Sequence, residues 1–179
     1  MKRLLLAAAL VCLAAAGPRA QTTAPYIGEI KRYYYDSMKR NLAAMVEKMP
    51  EEHFAFRPVA EIRSFGEAVA HVADAQARNC QLASGAGAKT LDAEKRRTKA
   101  ELLAALRDSF AICDAAFAAL SEARASEMIT MGQSGFQISR LSLLVSMIAH
   151  SNELHGYMAV YLRLKGIVPP STEAMNAVR

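Results

Sequence analysis

The chain has 179 residues, and its 22 lysine and arginine residues exceed its 17 aspartate and glutamate residues by a formal net charge of +5. Three of the basic residues lie in the first 20 positions, and without that segment 19 basic residues face the same 17 acidic ones, a net charge of +2. So small a surplus does not indicate a nucleic-acid-binding protein. The remaining residues, about 159, are enough for one domain with a single core.

The first 20 residues have the organisation of a secretory signal peptide. A basic start precedes an apolar run at positions 4–16, and small residues follow that run. The apolar run is too short for a stable membrane-spanning helix. We therefore expect cleavage after Ala20, with Ala16 and Gly17 as alternative sites, and a mature protein that is exported to the periplasm and not held in the membrane. The folded domain is predicted to span residues 21–179.

Four segments of the predicted domain repeat apolar residues every three or four positions, the spacing that places them on one face of a helix. These segments are residues 26–48, 64–83, 98–120 and 138–165. Pro50 follows the first segment, and a capping box begins each of the next two, Ser64 with Glu67 and Thr98 with Glu101. No segment alternates apolar and polar residues for long enough to predict a sheet. The sequence therefore predicts an all-α fold, a four-helix bundle.

The three connections differ in composition. Residues 51–63 contain Phe54 and Phe56 without a helical period, which predicts a loop across one end of the bundle. Residues 84–97 begin with alternating glycine and alanine and are interpreted as a linker. Residues 121–135 are polar and contain methionines, and they are interpreted as the connection to the fourth helix.

His150 and His155 lie within the fourth predicted helix, five positions apart. Two histidines that bind one metal ion from a single helix are normally four positions apart, because that spacing leaves their side chains about 40° apart around the axis. Five positions leave them about 140° apart. The residue four positions after His150 is Leu154, which cannot bind a metal. One regular helix therefore does not aim both histidines at the same ion.

Three motifs resemble those of one family. They are FRP at residues 56–58, RSFGEAVAHVADAQ at residues 63–76, and HSNE followed by YLRLKGIVPPS within residues 150–171. In combination they resemble the DinB-like (DinB/YfiT) superfamily, in particular its exported bacterial members, over essentially the whole mature chain. The resemblance implies a four-helix bundle of up-down-down-up topology, often dimeric. It also implies a divalent metal held by one histidine of the second helix and an H-x3-H pair of the fourth.

Members of this family include thiol-dependent transferases and isomerases, and many have no assigned activity. Carried over to this sequence, the family's ligand positions fall on His71, His150 and Leu154. In one arrangement compatible with this set, His71 and His150 hold zinc, nickel or iron together with a carboxylate. The candidate carboxylates, by helical spacing, are Glu67, Asp74 and Glu153.

Two other arrangements of the site are compatible with the same residues. In one, a bulge beside Gly156 turns His155 inward as a replacement ligand. In the other, the site is degenerate, and His71 and His150 are partly buried polar residues with hydrogen-bonded partners. Because the loss of one protein ligand strongly weakens metal binding, we favour the degenerate site, with metal binding weak or absent.

Two cysteines, Cys80 and Cys113, remain after the predicted signal peptide is removed. In the topology that the resemblance implies, the second and third helices are parallel. Cys80 lies 16 positions after Ser64 and Cys113 lies 15 positions after Thr98, so the pair would lie at nearly the same height. The linker between the helices can extend to about 46 Å, more than the roughly 30 Å length of a helix. In an oxidising compartment we expect a Cys80–Cys113 disulfide, and the alternative is two buried thiols.

Two classes of function remain open. The first is a non-catalytic bundle, monomeric or homodimeric, that binds a small molecule or a protein partner. The second is a metal-dependent thiol transferase or hydrolase that uses His71 and His150 with a carboxylate. Leu154 favours the first class, whereas retention of both histidines favours the second. We expect an exported bundle of unassigned activity with an impaired metal site, and the sequence identifies neither a substrate nor a ligand.

Overall fold

The structure, a computed structural model, describes residues 25–133 and 135–177. This part of the chain is mostly helical and contains a small two-stranded sheet. The α-helices are α1 (Pro25–Glu29), α2 (Asp36–Lys48), α3 (Phe65–Ser84), α4 (Lys99–Ala118), α5 (Glu122–Ala125), α6 (Arg140–Leu164) and α7 (Pro170–Asn176). The strands are β1 (Met128–Met131) and β2 (Phe136–Ser139). The predicted signal peptide at residues 1–20 lies outside the described residues.

The first predicted helix is present, but it is not a uniform α-helix. Between α1 and α2, residues Ile30–Tyr35 form a π-helical stretch, so the chain is helical without a break from residue 25 to residue 48. Tyr35 is fully buried and packs on Phe117 of α4, with 5.0 Å between the ring centroids. Its hydroxyl donates to the carbonyl oxygen of Phe110 at 3.1 Å. These contacts attach the first helical segment to α4.

The predicted loop at residues 51–63 lies against the start of α3. Phe54 is buried, and its ring centroid is 5.2 Å from that of Phe65. Its carbonyl oxygen accepts a hydrogen bond from the Gly66 N–H at 2.9 Å. A Cβ atom at residue 66 would come within 3.3 Å of that oxygen, closer than an ordinary contact. Glycine at this position therefore permits the close approach of the loop to the helix.

Both predicted capping boxes are present. Ser64 and Glu67 exchange hydrogen bonds between side chain and backbone N–H at the start of α3, and Thr98 and Glu101 do the same at the start of α4. Each box satisfies N–H groups that the first turn of a helix leaves without an intrahelical partner. The starts of both helices are therefore confirmed as predicted, and for the predicted reason.

The capping carboxylate of α4 predicts an acid dependence of stability. Hydrogen bonds from the backbone N–H groups of Thr98 and Arg97 lower the pKa of Glu101 from 4.5 to about 2. A depressed pKa in the folded state means that this stabilisation is present above pH 4.5 and is lost as the pH falls from 4.5 to about 2. In thermal unfolding across this window, Glu101→Gln should lose less stability with falling pH than the unmodified protein.

A matched control for this prediction is Glu122→Gln on α5. Glu122 is exposed, and its carboxylate has no hydrogen-bonded partner among the described residues. This control should follow the unmodified protein throughout the acid range. If the stability of Glu101→Gln falls with pH as steeply as that of the unmodified protein, the assigned role of the α4 capping box is contradicted.

α3 and α4 run side by side in the same direction. Near their starts, the Gly66 position faces Leu102; in the middle, Gln76 is hydrogen-bonded to Ser109; and further along, Cys80 meets Cys113. The two cysteine sulfurs lie at disulfide-bonding distance, with the Cα atoms 5.0 Å apart. The structure therefore places together the two cysteines that the sequence paired.

α6 packs against α3 in the opposite direction. Near the start of α6, the guanidinium of Arg140 donates to the carbonyl oxygens of Leu82 and Ala83 at the end of α3. Near the end of α6, the hydroxyl of Tyr161 donates to the carbonyl oxygen of Arg63, just before α3 begins. This direction brings the middle of α6 beside the first half of α3.

The small sheet corrects the sequence analysis, which predicted no strand. β1 pairs with β2 in antiparallel register, with Ile129 opposite Ile138. Each strand has four residues, too short for its alternation to stand out in the sequence, and Gly132 and Gly135 adopt positive φ angles of 56° and 70° in the turn. Because Ile138 belongs to β2, the fourth long helix begins at Arg140 rather than at residue 138.

The described helices do not include a candidate membrane span. Within residues 25–133 and 135–177, none of them combines the length and the hydrophobicity that a crossing requires.

Candidate functional site

His71 of α3 and His150 of α6 meet at the packed face between the two helices. Their Nε2 atoms are 3.2 Å apart, and the rings are nearly perpendicular, at 83°. At this distance one Nε2–H donates to the unprotonated Nε2 of the other ring. The side chains of His71 and His150 are 25% and 35% exposed. The structure therefore brings together the two predicted histidine ligands at a site that solvent can reach.

A carboxylate lies behind each of the two rings. Nδ1 of His71 is 3.2 Å from Oε1 of Glu94, and Nδ1 of His150 is 3.7 Å from Oε2 of Glu153. The other oxygen of Glu153 accepts a hydrogen bond from the Tyr157 hydroxyl at 2.8 Å. The four side chains form a row, carboxylate, imidazole, imidazole and carboxylate. Only Glu94 is within hydrogen-bonding distance of a ring nitrogen, so it orients the His71 ring and favours the tautomer that carries a proton on Nδ1.

The electrostatic environment keeps His150 neutral at neutral pH. Burial lowers the pKa of His150, and the neighbouring His71 lowers it further, while Glu153 acts in the opposite direction. A neutral imidazole keeps a lone pair on one ring nitrogen, so it can accept a hydrogen bond or bind a metal.

Two of the predicted carboxylate ligands are engaged elsewhere. The Glu67 carboxylate accepts hydrogen bonds from the backbone N–H of Ser64 at 2.8 Å and from the Arg57 guanidinium at 3.0 and 3.1 Å. These contacts, the Ser64 N–H first, lower the pKa of Glu67. The Asp74 carboxylate accepts hydrogen bonds from the backbone N–H groups of Leu91 at 2.8 Å and Glu94 at 3.2 Å. Both side chains therefore hold the backbone in place.

Glu94 is the residue of this site that sequence reasoning missed. It lies in the one-turn helix Ala93–Lys95 of the linker between α3 and α4, which the sequence identified only as a connection. The hydrogen bond from the Glu94 N–H to Asp74 fixes this turn against α3, because Asp74 lies on α3 three residues after His71. No local pattern marks such a contact, because Asp74 and Glu94 are 20 positions apart.

The other two positions that the sequence analysis considered, His155 and Leu154, do not supply a metal ligand. α6 is a continuous α-helix from Arg140 to Leu164, without a bulge at Gly156. His155 does not join the histidine pair, and its buried Nε2 has no hydrogen-bond partner among the described residues. Burial lowers the pKa of His155. Leu154 is only 4% exposed and lies beside His150 in the wall of a cavity.

The donor set fits two positions of a metal site but not a third. With metal–nitrogen bonds of about 2.0–2.1 Å, two ligands of one tetrahedral ion are about 3.3 Å apart, close to the 3.2 Å between the Nε2 atoms of His71 and His150. Among the described residues, however, no group of three or more histidine, cysteine, aspartate or glutamate side chains could hold a metal ion. Leu154 offers an apolar side chain at the third position.

A cavity of about 870 Å³ lies between α6 and the loop before α3, and we call it the histidine cleft. Its wall includes Ile62, Arg63, His150, Glu153, Leu154, Tyr157 and Val160. This volume is in the range of about 300–1,000 Å³ that accepts small organic molecules. The wall combines apolar surface with a few polar groups, the composition typical of small-molecule sites.

Comparison with known proteins identifies the family. A family model described as the DinB superfamily matches residues 34–158. The crystal structure of a DinB-like protein from Bacillus subtilis is similar, with a TM-score of 0.62 and 18% identity over 74% of this chain and 90% of that chain. A DinB-like protein from Bacillus cereus has a TM-score of 0.65 and 14% identity over 76% of this chain and 91% of that one.

At such identities the likeness to the two Bacillus proteins shows the fold alone. No match was found among curated proteins. The family model nevertheless covers more than half of the chain, including both His71 and His150. The chain belongs to the DinB superfamily.

Proposed function

We propose that this protein is an exported helical bundle that binds a small molecule or a partner, with a degenerate divalent-metal site. The observation that carries the proposal is the buried Leu154, which lies beside His150 where a third ligand would be needed. A thioether, thiolate, imidazole or carboxylate could bind a metal there, but an isobutyl group cannot. The histidine cleft provides the binding surface, and the paired imidazoles provide hydrogen-bonding groups in its wall.

The proposal includes an up-down-down-up bundle. It is supported by the shared direction of α3 and α4 and the opposite direction of α6. The first helical segment runs opposite to α4, since Tyr35 near its middle contacts Phe110 and the Lys99 ammonium at the start of α4 donates to the Met49 carbonyl oxygen after its end. Export to the periplasm is supported by the leader pattern and by the Cys80–Cys113 pair, because disulfides persist in oxidising compartments.

A metal-dependent thiol transferase or hydrolase is the second candidate. One observation favours it, the 3.2 Å separation of the Nε2 atoms of His71 and His150 with a carboxylate behind each ring. This candidate requires that the two histidines bind a metal with help from a carboxylate. Glu153 is the nearest of the predicted carboxylates, but its oxygens already face His150 and Tyr157.

Metal analysis of the purified exported protein separates the two candidates. We expect no stoichiometric zinc, nickel or iron in the unmodified protein. Leu154→His restores a histidine four positions after His150, on the same side of α6, and should therefore acquire close to one equivalent of zinc. Stoichiometric metal in the unmodified protein would contradict the proposal and support the enzyme.

Two matched variants control for the polarity and the position of the new side chain. Leu154→Asn places a polar group of similar size without an imidazole, and it should remain free of metal. Leu154→His combined with His150→Ala removes one of the three imidazoles and should lose the acquired zinc. Zinc retained by the double variant would mean that the metal binds elsewhere.

A further inference from the structure

A second cavity, of about 500 Å³, lies where the loop after α2 meets the segment that precedes α4. Four arginines line it, Arg57, Arg63, Arg96 and Arg97, and we call it the arginine cavity. Two carboxylates, Glu67 and Glu94, also belong to its wall, which leaves an excess of two positive charges. The cavity adjoins the histidine cleft, because Arg57, Arg63 and Glu67 line both, and Glu94 also faces His71.

The two carboxylates are already committed to other partners. Glu67 is paired with Arg57 and caps α3, and Glu94 faces the imidazole of His71. Neither carboxylate forms an ion pair with the other three arginines within the described part of the chain. The positive charge on Arg63, Arg96 and Arg97 is therefore not neutralised by the wall itself.

The guanidinium groups of Arg96 and Arg97 donate hydrogen bonds to neutral carbonyl oxygens, and that of Arg63 donates none among the described residues. Arg96 donates to the carbonyl oxygens of Leu91 and Glu101, and Arg97 donates to the carbonyl oxygen of Glu94. Carbonyl oxygens fix the direction of a guanidinium without removing its charge, and each group keeps further N–H donors. Arg63 is exposed, and its guanidinium has no hydrogen bond or ion pair among the described residues.

The backbone N–H groups at the start of α3 already donate to other acceptors and are not available to an anion. The N–H groups of Phe65 and Gly66 donate to the carbonyl oxygens of Phe56 and Phe54, and the N–H of Glu67 donates to the Ser64 hydroxyl. The donors that remain for an anion in this cavity are therefore the guanidinium groups, which match the planar geometry of carboxylate and phosphate.

Apart from Ser64, the rest of the wall has no polar side chain. Phe54, Ala70 and Leu102 contribute to it, and each is at least 95% buried. The volume is within the range that accepts small organic molecules and is larger than a bare inorganic ion requires. The volume therefore leaves room for a carbon body attached to an anionic group.

We propose that the arginine cavity binds a small organic anion, with its carboxylate or phosphate group on Arg63, Arg96 and Arg97 and its carbon body in the remaining volume of the cavity. The inference rests on the proposed function in one respect, that the protein is a ligand-binding bundle. It does not depend on the state of the metal site, because none of the three arginines is a candidate metal ligand.

Calorimetric titration of the full exported protein with phenyl phosphate and with benzoate tests this inference. We expect saturable binding of at least one of the two, and the stronger ligand identifies the preferred oxyanion. Phenol, which has the same ring without the charge, and inorganic phosphate, which lacks the ring, should each bind at least tenfold more weakly. Absence of saturable binding by both aryl anions, or phenol binding as tightly as either, would overturn the inference.

Charge-removing variants locate the site. Arg63→Gln and Arg97→Gln should each weaken binding by about tenfold, as expected for the loss of one charge-assisted hydrogen bond. Arg78→Gln, at an exposed arginine of α3 outside the cavity, is the matched control and should bind like the unmodified protein. Because Arg63 has no partner to lose, its variant should unfold at the same temperature as the unmodified protein. Arg97 lines the arginine cavity and not the histidine cleft, whereas Arg63 lines both, so unchanged affinity of Arg97→Gln would overturn the assignment to this cavity.

Metal analysis of the same preparation distinguishes the two proposals. Tight aryl-anion binding with stoichiometric metal would contradict the degenerate metal site and leave the arginine cavity supported. A metal-free protein that binds neither aryl anion would overturn the arginine cavity and leave the degenerate metal site supported.

Discussion

Replacement of Cys80 and Cys113 together by alanine should lower the free energy of unfolding by about 4 kcal/mol. The two residues are 33 positions apart and completely buried, and their link joins the last turns of α3 to the last turns of α4. A cross-link over such a distance restricts the unfolded chain, which accounts for most of the expected effect. For a domain of this size the midpoint of thermal unfolding should fall by about 10 °C.

The measurement is thermal unfolding with and without reductant. The unmodified protein should lose stability when reductant is added, whereas the double alanine variant should be insensitive to it. Because both cysteines are buried, alkylation in denaturant without reductant, followed by intact mass, reports the state of the thiols. Two alkylated cysteines in the exported protein would show that the link does not form and that the pair consists of buried thiols.

Replacement of Gln76 by alanine should lower the free energy of unfolding by about 3 kcal/mol. Gln76 is fully buried, its amide nitrogen donates to the Ser151 hydroxyl of α6 at 3.1 Å, and its amide oxygen accepts from the Ser109 hydroxyl of α4 at 3.2 Å. One side chain of α3 therefore joins three helices through polar contacts inside an apolar core. Truncation removes both contacts and leaves a cavity.

Chemical denaturation of three variants separates the polar contribution from the packing contribution. Asn79→Ala removes an amide from the same helix without breaking a hydrogen bond of the described residues, and it should change the stability by less than about 0.5 kcal/mol. The triple variant Gln76→Leu, Ser109→Ala and Ser151→Ala removes the whole polar cluster. It should be nearly as stable as the unmodified protein, because no buried hydroxyl is then left without its Gln76 partner. A triple variant as unstable as Gln76→Ala would contradict this account.

The starts of the two central helices were predictable because their determinants are local. Ser64 with Glu67 and Thr98 with Glu101 lie three positions apart, and the structure has the corresponding hydrogen bonds. The strands β1 and β2 were not predictable, because their pairing joins short segments whose alternation is too brief to detect. The sequence could therefore locate the long helices but not the hairpin that precedes α6.

The candidate site likewise has a part that was predictable from the sequence and a part that was not. Its two histidines and the leucine at the third ligand position follow from the family resemblance and from helical spacing, and the structure places His71 and His150 in contact. Glu94 could not be inferred, because its position depends on Asp74, 20 positions earlier, which holds the linker turn by its backbone. The linker has no regular sequence pattern, and tertiary contacts alone place its Glu94 beside His71.

The link between Cys80 and Cys113 also has a consequence for the integrity of the polypeptide. The link closes a covalent ring that consists of the end of α3, the linker at residues 85–97 and most of α4. A single proteolytic cut anywhere in that linker would leave both fragments attached to each other.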